Sequence, residues 1–335
     1  MLNGKSMTMT VGMSIVGTGK IVQEALPVLR HVEDLRLVAL CARPQSKEKA
    51  MRLAQEHSVP KVETDYEEAL HDDSDILYIA LPNTLHYAFA RKALLAGKSV
   101  IIEKPIVTNP DELSDLTALA QERGLYIFEN MTVWHNPLYE RLRSEVLPQL
   151  GNVRLIQCNY SQRSSRYDRY MRGDVAPAFD PSLFGGALWD LNVYNFAFVI
   201  SLFGQPRHVT YNANWGFNGV DTSGTASLSY ADKQAIAVAA KDSDSPSEAI
   251  IQGDGGWLRV DSAVNELRGF SYSIGQGPVR QVVGTKGISR LLPAFRRIVQ
   301  TYAKGDYQAM QYYLELSHKV IRTMSQLKCF NPKSA

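Results

Sequence analysis

The N-terminal part of the chain alternates between short apolar runs and segments with helical periodicity, and this alternation constrains the fold more than any other feature. Strands are predicted at Val11–Val16, Leu35–Cys41, Ile76–Ala80, Ser99–Ile102 and Leu125–Phe128, with helices near residues 20–31, 46–57, 85–96 and 110–123. Strands that are apolar throughout are typical of a parallel sheet covered on both faces. Because βαβ connections are right-handed, the pattern predicts a doubly wound α/β sheet of the Rossmann type.

The pattern changes after Gly151, where the segments begin to alternate between apolar and polar residues. Strands are predicted at residues 153–160, 208–215, 222–229, 235–241, 248–252 and 257–260, an apolar helix ends at Phe203, and helices at 290–304 and 306–327 close the chain. This predicts an open, mostly antiparallel sheet with helices on one face. A chain of 335 residues exceeds one ordinary core. We therefore expect a dinucleotide-binding domain at 9–129 and a substrate and oligomerisation domain at 130–335.

Composition excludes several classes of protein. The net charge is only +2 and no basic run is present, which argues against a nucleic-acid partner. The seven histidines show no paired-ligand spacing, so no metal is expected. The three cysteines are widely spaced, as in a reducing compartment. No secretory signal and no apolar run of about 20 residues is evident, so we expect a cytoplasmic protein without a membrane partner.

A glycine-rich turn follows the first predicted strand. Its sequence is Gly17-Thr18-Gly19-Lys20-Ile21, and a helix starts within it. Glycines at these positions allow a tight turn and a close approach of the backbone to a pyrophosphate, which then lies at the helix N-terminus. Because the turn lies between a strand and a helix of a βαβ unit, we interpret it as a dinucleotide-binding loop.

The end of the second strand indicates which dinucleotide binds. An NAD site places an acidic residue there, but no Asp or Glu occurs between Leu35 and Lys47. The strand instead runs into Ala42 and Arg43, with Lys47 nearby. An arginine suits a 2′-phosphate, so NADP(H) is favoured over NAD(H). The alternative is that Arg43 is a solvated loop residue.

Lys104 ends a later strand of the same sheet, at the edge where ligands of open α/β sheets bind. The proline that follows it favours an extended backbone, which holds the lysine side chain in a defined direction. A lysine there can donate a proton or a hydrogen bond to a carbonyl oxygen that is being reduced.

The combined motifs resemble the Gfo/Idh/MocA oxidoreductase family. They are the Gly-x-Gly turn, Pro-Asn-x-x-His from Pro82 to His86, and Ala-Gly-Lys-x-Val-x-x-Glu-Lys-Pro from Ala96 to Pro105. The resemblance implies that Lys104 is the catalytic lysine. It also implies that the nicotinamide half of the cofactor site is lined by Leu81, Pro82, Asn83, His86 and Glu103. Taken as isolated residues, Glu103 would be a strand-end charge and His86 a helix-start residue.

The resemblance also gives a role to Asp190 and Tyr194, which lie four residues apart and so share one face of the apolar helix. The family commonly carries Asp-x-Gly-x-His here, and Tyr194 in place of histidine is similar to the glucose–fructose oxidoreductase and dihydrodiol dehydrogenase branches. Asp190 would orient substrate hydroxyls. Tyr194 would pair with Lys104, whose ammonium favours the phenolate. Asn192 departs from the family glycine, which leaves the local backbone or the substrate fit open.

A polar segment before this helix offers substrate contacts. Arg163, Arg166 and Tyr167 would bind hydroxyls or a carboxylate, and Trp134 and His135 are candidates of lower rank. A solvated loop or a subunit contact would explain the same residues.

The leading hypothesis is an NAD(P)-dependent oxidoreductase that transfers a hydride between nicotinamide and a carbonyl or secondary alcohol of a sugar, cyclic polyol or vicinal diol. Lys104 and Tyr194 would form its acid/base pair. The alternative is a non-catalytic NAD(P)-binding sensor or regulatory protein on the same fold. A reductase of a larger planar substrate would need a more aromatic loop than residues 161–170. An uncovered face of the second sheet would favour a homodimer or homotetramer.

Overall fold

The structure is a computed structural model and describes residues 10–329. The strands in this range are β1 Val11–Val16, β2 Leu35–Cys41, β3 Lys61–Glu63, β4 Ile76–Ile79, β5 Ser99–Ile102, β6 Ile127–Glu129, β7 Val153–Ser161, β8 His208–Trp215, β9 Asp221–Ser229, β10 Gln234–Ala240, β11 Glu248–Gly253, β12 Gly256–Val260, β13 Gly269–Ile274 and β14 Arg280–Val283. The α-helices are α1 Lys20–Leu29, α2 Lys47–Glu56, α3 Tyr66–His71, α4 His86–Leu95, α5 Pro110–Glu122, α6 Thr132–His135, α7 Pro137–Arg141, α8 Tyr167–Met171, α9 Val193–Phe203, α10 Leu291–Ala303 and α11 Tyr307–Met324.

The chain forms two compact units. The first contains residues up to Ile106, Asp111–Asn130 and Leu291–Leu314, and the second contains the remainder. Helix α10 thus belongs to the first unit, although it lies far along the chain from the strands it covers. The Phe295 ring on α10 packs edge-on against Tyr78 of β4, with ring centroids 5.1 Å apart. The sequence prediction places a single domain boundary between residues 129 and 130. It does not include the return of residues 291–314 to the first unit.

The first unit is built on a parallel sheet, as its apolar strands predict. Within the described residues the sheet has six strands in the order β3-β2-β1-β4-β5-β6. All six residues of β1 and all four of β4 are buried, because helices cover both faces. The order reverses between β1 and β4, which is the position at which doubly wound sheets open a ligand crevice. The Rossmann prediction is confirmed.

The second unit contains a separate, mostly antiparallel sheet. Its order in the described residues is β14-β13-β12-β11-β7-β10-β9-β8, and only the β7–β10 pair runs parallel. Ile156 and Cys158 on β7 are buried where α9 packs, whereas Leu155 and Gln157 face outward and are exposed. This alternation is typical of a sheet with one covered face. The prediction of an open sheet with helices on one face is confirmed.

The segment Pro181–Phe203 is long and apolar enough to cross a membrane by length and composition, but 83% of its most apolar window is buried within the protein. It includes α9, whose residues Val193–Ile200 are all buried. Its apolarity is therefore explained by packing in the core of the second unit.

Candidate functional site

The glycine turn after β1 adopts the conformation that its sequence predicts. Gly17 has φ +125°, and a Cβ atom at this position would lie 2.4 Å from the carbonyl oxygen of Ala80. Gly19 is the extended N-cap of α1, and a Cβ there would meet no atom within 4 Å. The first turn of α1 carries no acidic residue. Open space in front of a helix N-terminus without negative charge fits a pyrophosphate.

A cavity of about 490 Å³ continues from this turn along the strand ends of the first unit. Residues 16–19, 41–44, 64–66 and 80–82 line it, so the carboxyl ends of β1 to β4 all contribute. The cavity lining includes seven of the residues predicted from the sequence to bind the cofactor: Gly17, Thr18, Gly19, Ala42, Arg43, Leu81 and Pro82. Phe89 and Tyr66 form an apolar wall with ring centroids 4.5 Å apart. A crevice of this size with an aromatic wall fits the adenosine part of a dinucleotide.

Two cations and one hydroxyl group lie at the β2 end of the cavity. Arg43, Ser46 and Lys49 line it. Lys47, expected beside Arg43, is exposed and is the first residue of α2. Asp65 is the acidic lining residue, and its carboxylate already accepts a hydrogen bond from the backbone N–H of Glu67 at 3.0 Å. The sequence interpretation missed Ser46 and Lys49 because their position depends on where α2 begins.

The ends of β4 and β5 are joined through a buried histidine. His86 is fully buried, with Nε2 lying 2.8 Å from the carbonyl oxygen of Leu81 and Nδ1 lying 2.9 Å from that of Pro105. Burial lowers the pKa of the imidazole, against the opposing effect of the two carbonyls. His86 therefore connects the two segments that carry the Pro-Asn-x-x-His and Glu-Lys-Pro motifs. Asn83 is half-buried and begins the short turn before α4.

Glu103 and Lys104 differ in exposure at the end of β5. The Glu103 carboxylate is buried and accepts hydrogen bonds from the Tyr78 hydroxyl at 2.5 Å and from the Asn130 amide at 2.7 Å. Lys104 is half-buried and precedes Pro105 through a cis peptide bond. Glu103 thus fixes the strand end, while the Lys104 side chain is accessible to solvent at the same edge.

Asp190 lies in the second unit, on a π-helical turn at Leu188–Asn192 that leads into α9. π-Helical turns are rare in proteins, and those that occur are often found at functional sites. The Asp190 carboxylate is 39% exposed and its Oδ2 accepts a hydrogen bond from Lys241 Nζ at 2.7 Å. Tyr194 is buried on the first turn of α9, with its ring centroid 6.1 Å from that of Tyr160.

Asn192, the departure from the family pattern, has a structural role. It is fully buried, and its Nδ2 donates to the carbonyl oxygen of Ala237 on β10 at 3.0 Å. Its Oδ1 accepts from Asn195 Nδ2 at 2.9 Å, and Asn195 also donates to Val238 O at 3.0 Å. The two amides attach the start of the helix to the centre of the sheet.

A buried carboxylate, Asp221, holds the other side of the same helical turn. Its Oδ2 accepts from the Tyr211 hydroxyl and from the backbone N–H of Leu188, each at 2.6 Å. Burial raises the pKa of Asp221 to about 7. A Cβ on Gly186 would overlap the Asp221 carboxylate, so glycine is needed at that position.

The expected substrate residues in the second unit differ in accessibility. Arg163 is exposed, with its guanidinium 2.7 Å from Asp168 and 5.3 Å from the centroid of the Tyr167 ring. Arg166 is exposed at the start of α8. Trp134 is buried, and its Nε1 donates to the carbonyl oxygen of Ala197 on α9 at 3.1 Å. Trp134 is therefore a packing residue of the second unit. Arg163 and Arg166, by contrast, are accessible to solvent.

No group of three or more His, Cys, Asp or Glu residues suited to a metal ion occurs among residues 10–329. The three cysteines are buried and unpaired. The most important residues that the sequence does not reveal are Asp221, the first residue of β9, and Lys241, which directly follows β10. Both lie far along the chain from the helical turn that they hold.

Comparison with known proteins identifies the family. Residues 11–131 match the Gfo/Idh/MocA oxidoreductase family, NAD-binding Rossmann fold, and residues 148–259 match the Gfo/Idh/MocA C-terminal domain. The chain is 35% identical over 250 residues to scyllo-inositol 2-dehydrogenase (NADP⁺) of Bacillus subtilis, covering 74% of this chain and 75% of that protein. It is 31% identical over 228 residues to trans-1,2-dihydrobenzene-1,2-diol dehydrogenase of Sus scrofa, covering 66% and 65%.

Solved structures share the fold across nearly the whole chain. A 3-ketoreductase from Actinomadura kijaniata, in complex with NADP and TDP-benzene, superposes with a TM-score of 0.81 at 21% identity, covering 95% of this chain and 96% of the other. The two-part family match, the sequence relatives and the fold agree with the motifs at Gly17–Gly19, Pro82–His86 and Ala96–Pro105. The chain belongs to the Gfo/Idh/MocA family of NAD(P)-binding oxidoreductases.

Proposed function

We propose that the protein is an NADP-dependent dehydrogenase or reductase acting on a sugar, a cyclic polyol or a vicinal diol. The observation that carries the cofactor preference is the cavity end formed by Arg43, Ser46 and Lys49, with no acidic residue at the end of β2. Two relatives are named as dehydrogenases of an inositol and of a dihydrobenzenediol. Both are cyclic compounds with hydroxyl groups on neighbouring carbons, which supports the substrate class.

A bound nicotinamide would supply or accept the hydride. The residues of the protein then transfer the proton and orient the substrate. In the reducing direction, Tyr194 donates its phenolic proton to the carbonyl oxygen, and the Lys104 ammonium stabilises the phenolate that remains. Asp190 accepts hydrogen bonds from substrate hydroxyls and so fixes the carbon that reacts. Arg163 and Arg166 are the proposed further contacts to polar groups of the substrate.

The experiment is a turnover screen of sugars, inositols and vicinal diols with NADP⁺, followed by two variants. Lys104→Ala should abolish turnover while NADPH binding changes little. Tyr194→Phe should reduce kcat about 10²–10⁴-fold, the usual contribution of a positioned acid–base group. Tyr160→Phe is the matched control, since it removes a neighbouring phenol that has no proposed proton role. NADPH binding without turnover of any compound would support the sensor instead, and an active Lys104→Ala would refute the mechanism.

Cofactor preference has a test of its own. Arg43→Ala and Lys49→Ala should each weaken NADPH binding about 10- to 100-fold while NADH binding stays nearly unchanged, since a hydrogen bond to a charged group contributes about 1.5–3 kcal/mol. Lys47→Ala is the control, because this cation of the same segment does not line the cavity. Equal affinity of the unaltered protein for NADPH and NADH would refute the role of Arg43.

We also propose that the protein forms a homodimer or homotetramer through the outer face of the second sheet. Leu155 and Ile236 are 46% and 44% exposed on adjacent strands of that face. Such apolar side chains on an open sheet are typical of subunit contacts. Light scattering of Leu155→Glu/Ile236→Glu should give a smaller mass than the unaltered protein. The buried, unpaired cysteines Cys41, Cys158 and Cys329 favour the cytoplasm as its compartment.

A further inference from the structure

Lys241 is a buried lysine in the second unit that the proposed chemistry does not use. It follows directly after β10, and its side chain is only 3% exposed. Its Nζ donates to Asp190 Oδ2 at 2.7 Å and to the carbonyl oxygen of Ala178 at 2.6 Å, and it lies 4.8 Å from the centroid of the Phe179 ring. Burial of an ammonium is costly unless it is paired and hydrogen-bonded, so these partners hold the cation in one place.

The two members of the ion pair differ in exposure. Lys241 is buried beneath the pair, whereas the Asp190 carboxylate is 39% exposed. The pair therefore presents a carboxylate to solvent and keeps its counter-charge inside. A carboxylate held this way retains its charge and orientation without the cation competing for an approaching hydroxyl group.

The same ammonium also holds a loop. The carbonyl oxygen of Ala178, which accepts from Lys241, also accepts from the backbone N–H of Gly186 at 3.0 Å. Gly186 leads into the π-helical turn that carries Asp190. Lys241 thus connects the loop around Phe179, the entry to the helix and the carboxylate.

We propose that Lys241 is a positioning residue that fixes the Asp190 carboxylate for hydrogen bonding to substrate hydroxyls. This rests on the proposed function, in which Asp190 contacts the substrate. Lys241 touches neither substrate nor cofactor and acts through Asp190. Its removal should therefore affect substrate binding and leave cofactor binding unchanged.

The test is a double-mutant cycle with Lys241→Met, Asp190→Asn and the combined variant, assayed with the compound from the screen that has the highest kcat/KM. Lys241→Met should raise KM about 10- to 100-fold, as expected for loss of a charged hydrogen bond, with NADPH affinity within about twofold. In the Asp190→Asn background the same substitution should change KM less than about threefold. An equal effect in both backgrounds would overturn the proposal.

Three further measurements separate positioning from folding and from the proposed function. Lys241→Arg should recover part of the lost affinity, whereas Lys241→Gln, which keeps a donor for Ala178 but no charge, should not. Lys98→Met is the control, since Lys98 is another buried lysine, bonded to the carbonyl oxygens of Asp72 and Ser74 at 2.6 Å. It should leave KM unchanged.

Crystals of Lys241→Met, or of Lys241→Gln if the methionine variant does not fold, should show Asp190 displaced. An unmoved carboxylate would overturn the positioning role whatever the activity. If Asp190→Asn itself leaves KM and kcat unchanged, the proposed function of Asp190 fails, and the crystal result still decides the role of Lys241.

Discussion

Replacing Asn192 by the family's glycine should destabilise the protein. The substitution removes the hydrogen bonds to Ala237 O and from Asn195 Nδ2, both made by a fully buried side chain. Each net hydrogen bond contributes about 1 kcal/mol, and glycine inside a helix costs about 0.5–1 kcal/mol more than alanine. Asn195 Nδ2 keeps its bond to Val238 O, so this donor is not left without an acceptor. We therefore expect a loss of about 2–4 kcal/mol of unfolding free energy.

The assay is urea unfolding, followed by fluorescence, with Asn192→Ala as the matched variant. Alanine removes the same two hydrogen bonds without the backbone freedom of glycine, so it should be more stable than Asn192→Gly by about 0.5–1 kcal/mol. Substrate KM should rise in both variants, because the π-helical turn that carries Asp190 loses the bond between Asn192 and β10. A glycine variant as stable as the unaltered protein would refute the structural account of this residue.

The remaining predictions concern the turn, the buried carboxylate and the buried histidine. Gly17→Ala should weaken NADPH binding at least about tenfold, because its Cβ would collide with Ala80 O; Gly97→Ala, also at positive φ but with open space around it, is the control and should not. Burial raises the pKa of Asp221 to about 7, so the folded chain keeps a proton that the unfolded chain has already lost, and stability should fall as pH rises from about 4 to 7. Asp221→Asn should flatten that slope in urea unfolding at pH 5 and 8, and an unchanged slope would contradict the assignment. His86→Ala should cost about 2–4 kcal/mol in the same assay, because a buried carbonyl oxygen loses its donor and a cavity forms; an unchanged unfolding midpoint would count against it.

The elements that could be predicted from the sequence are those with a strong local signal. Strands β1, β2 and β5, which are mostly apolar, begin and end where their sequences predict. By contrast, β3 and α3 were not predicted, although residues 64–66 form a wall of the cofactor cavity. A strand of three residues that begins with Lys61 and ends with Glu63 has no periodicity to detect. Its place in the sheet is set by pairing with β2.

The residues of the candidate site also differ in whether a local sequence signal reveals them. Gly17, His86 and Lys104 belong to short motifs whose spacing is visible in the sequence, because each motif lies at the end of a strand of the first unit or just after it. The sequence alone does not distinguish Lys47 from Lys49, because the two lysines differ by about half a turn of α2 and only Lys49 lines the cavity. Helix propensity does not determine which side of α2 faces the cavity. The packing of α2 against β2 and β3 does.

The support of the Asp190 carboxylate is the least local feature of the candidate site and the most informative one. Asn192 bonds to β10, and Lys241, the residue after β10, bonds to Asp190. One strand therefore holds the helical turn from two positions that are about 50 residues away in sequence. When only the sequence of the helix is compared with the family pattern, Asn192 is a departure from the family's glycine. The structure instead directs its side chain into the sheet, where its bond to β10 holds the turn that carries Asp190.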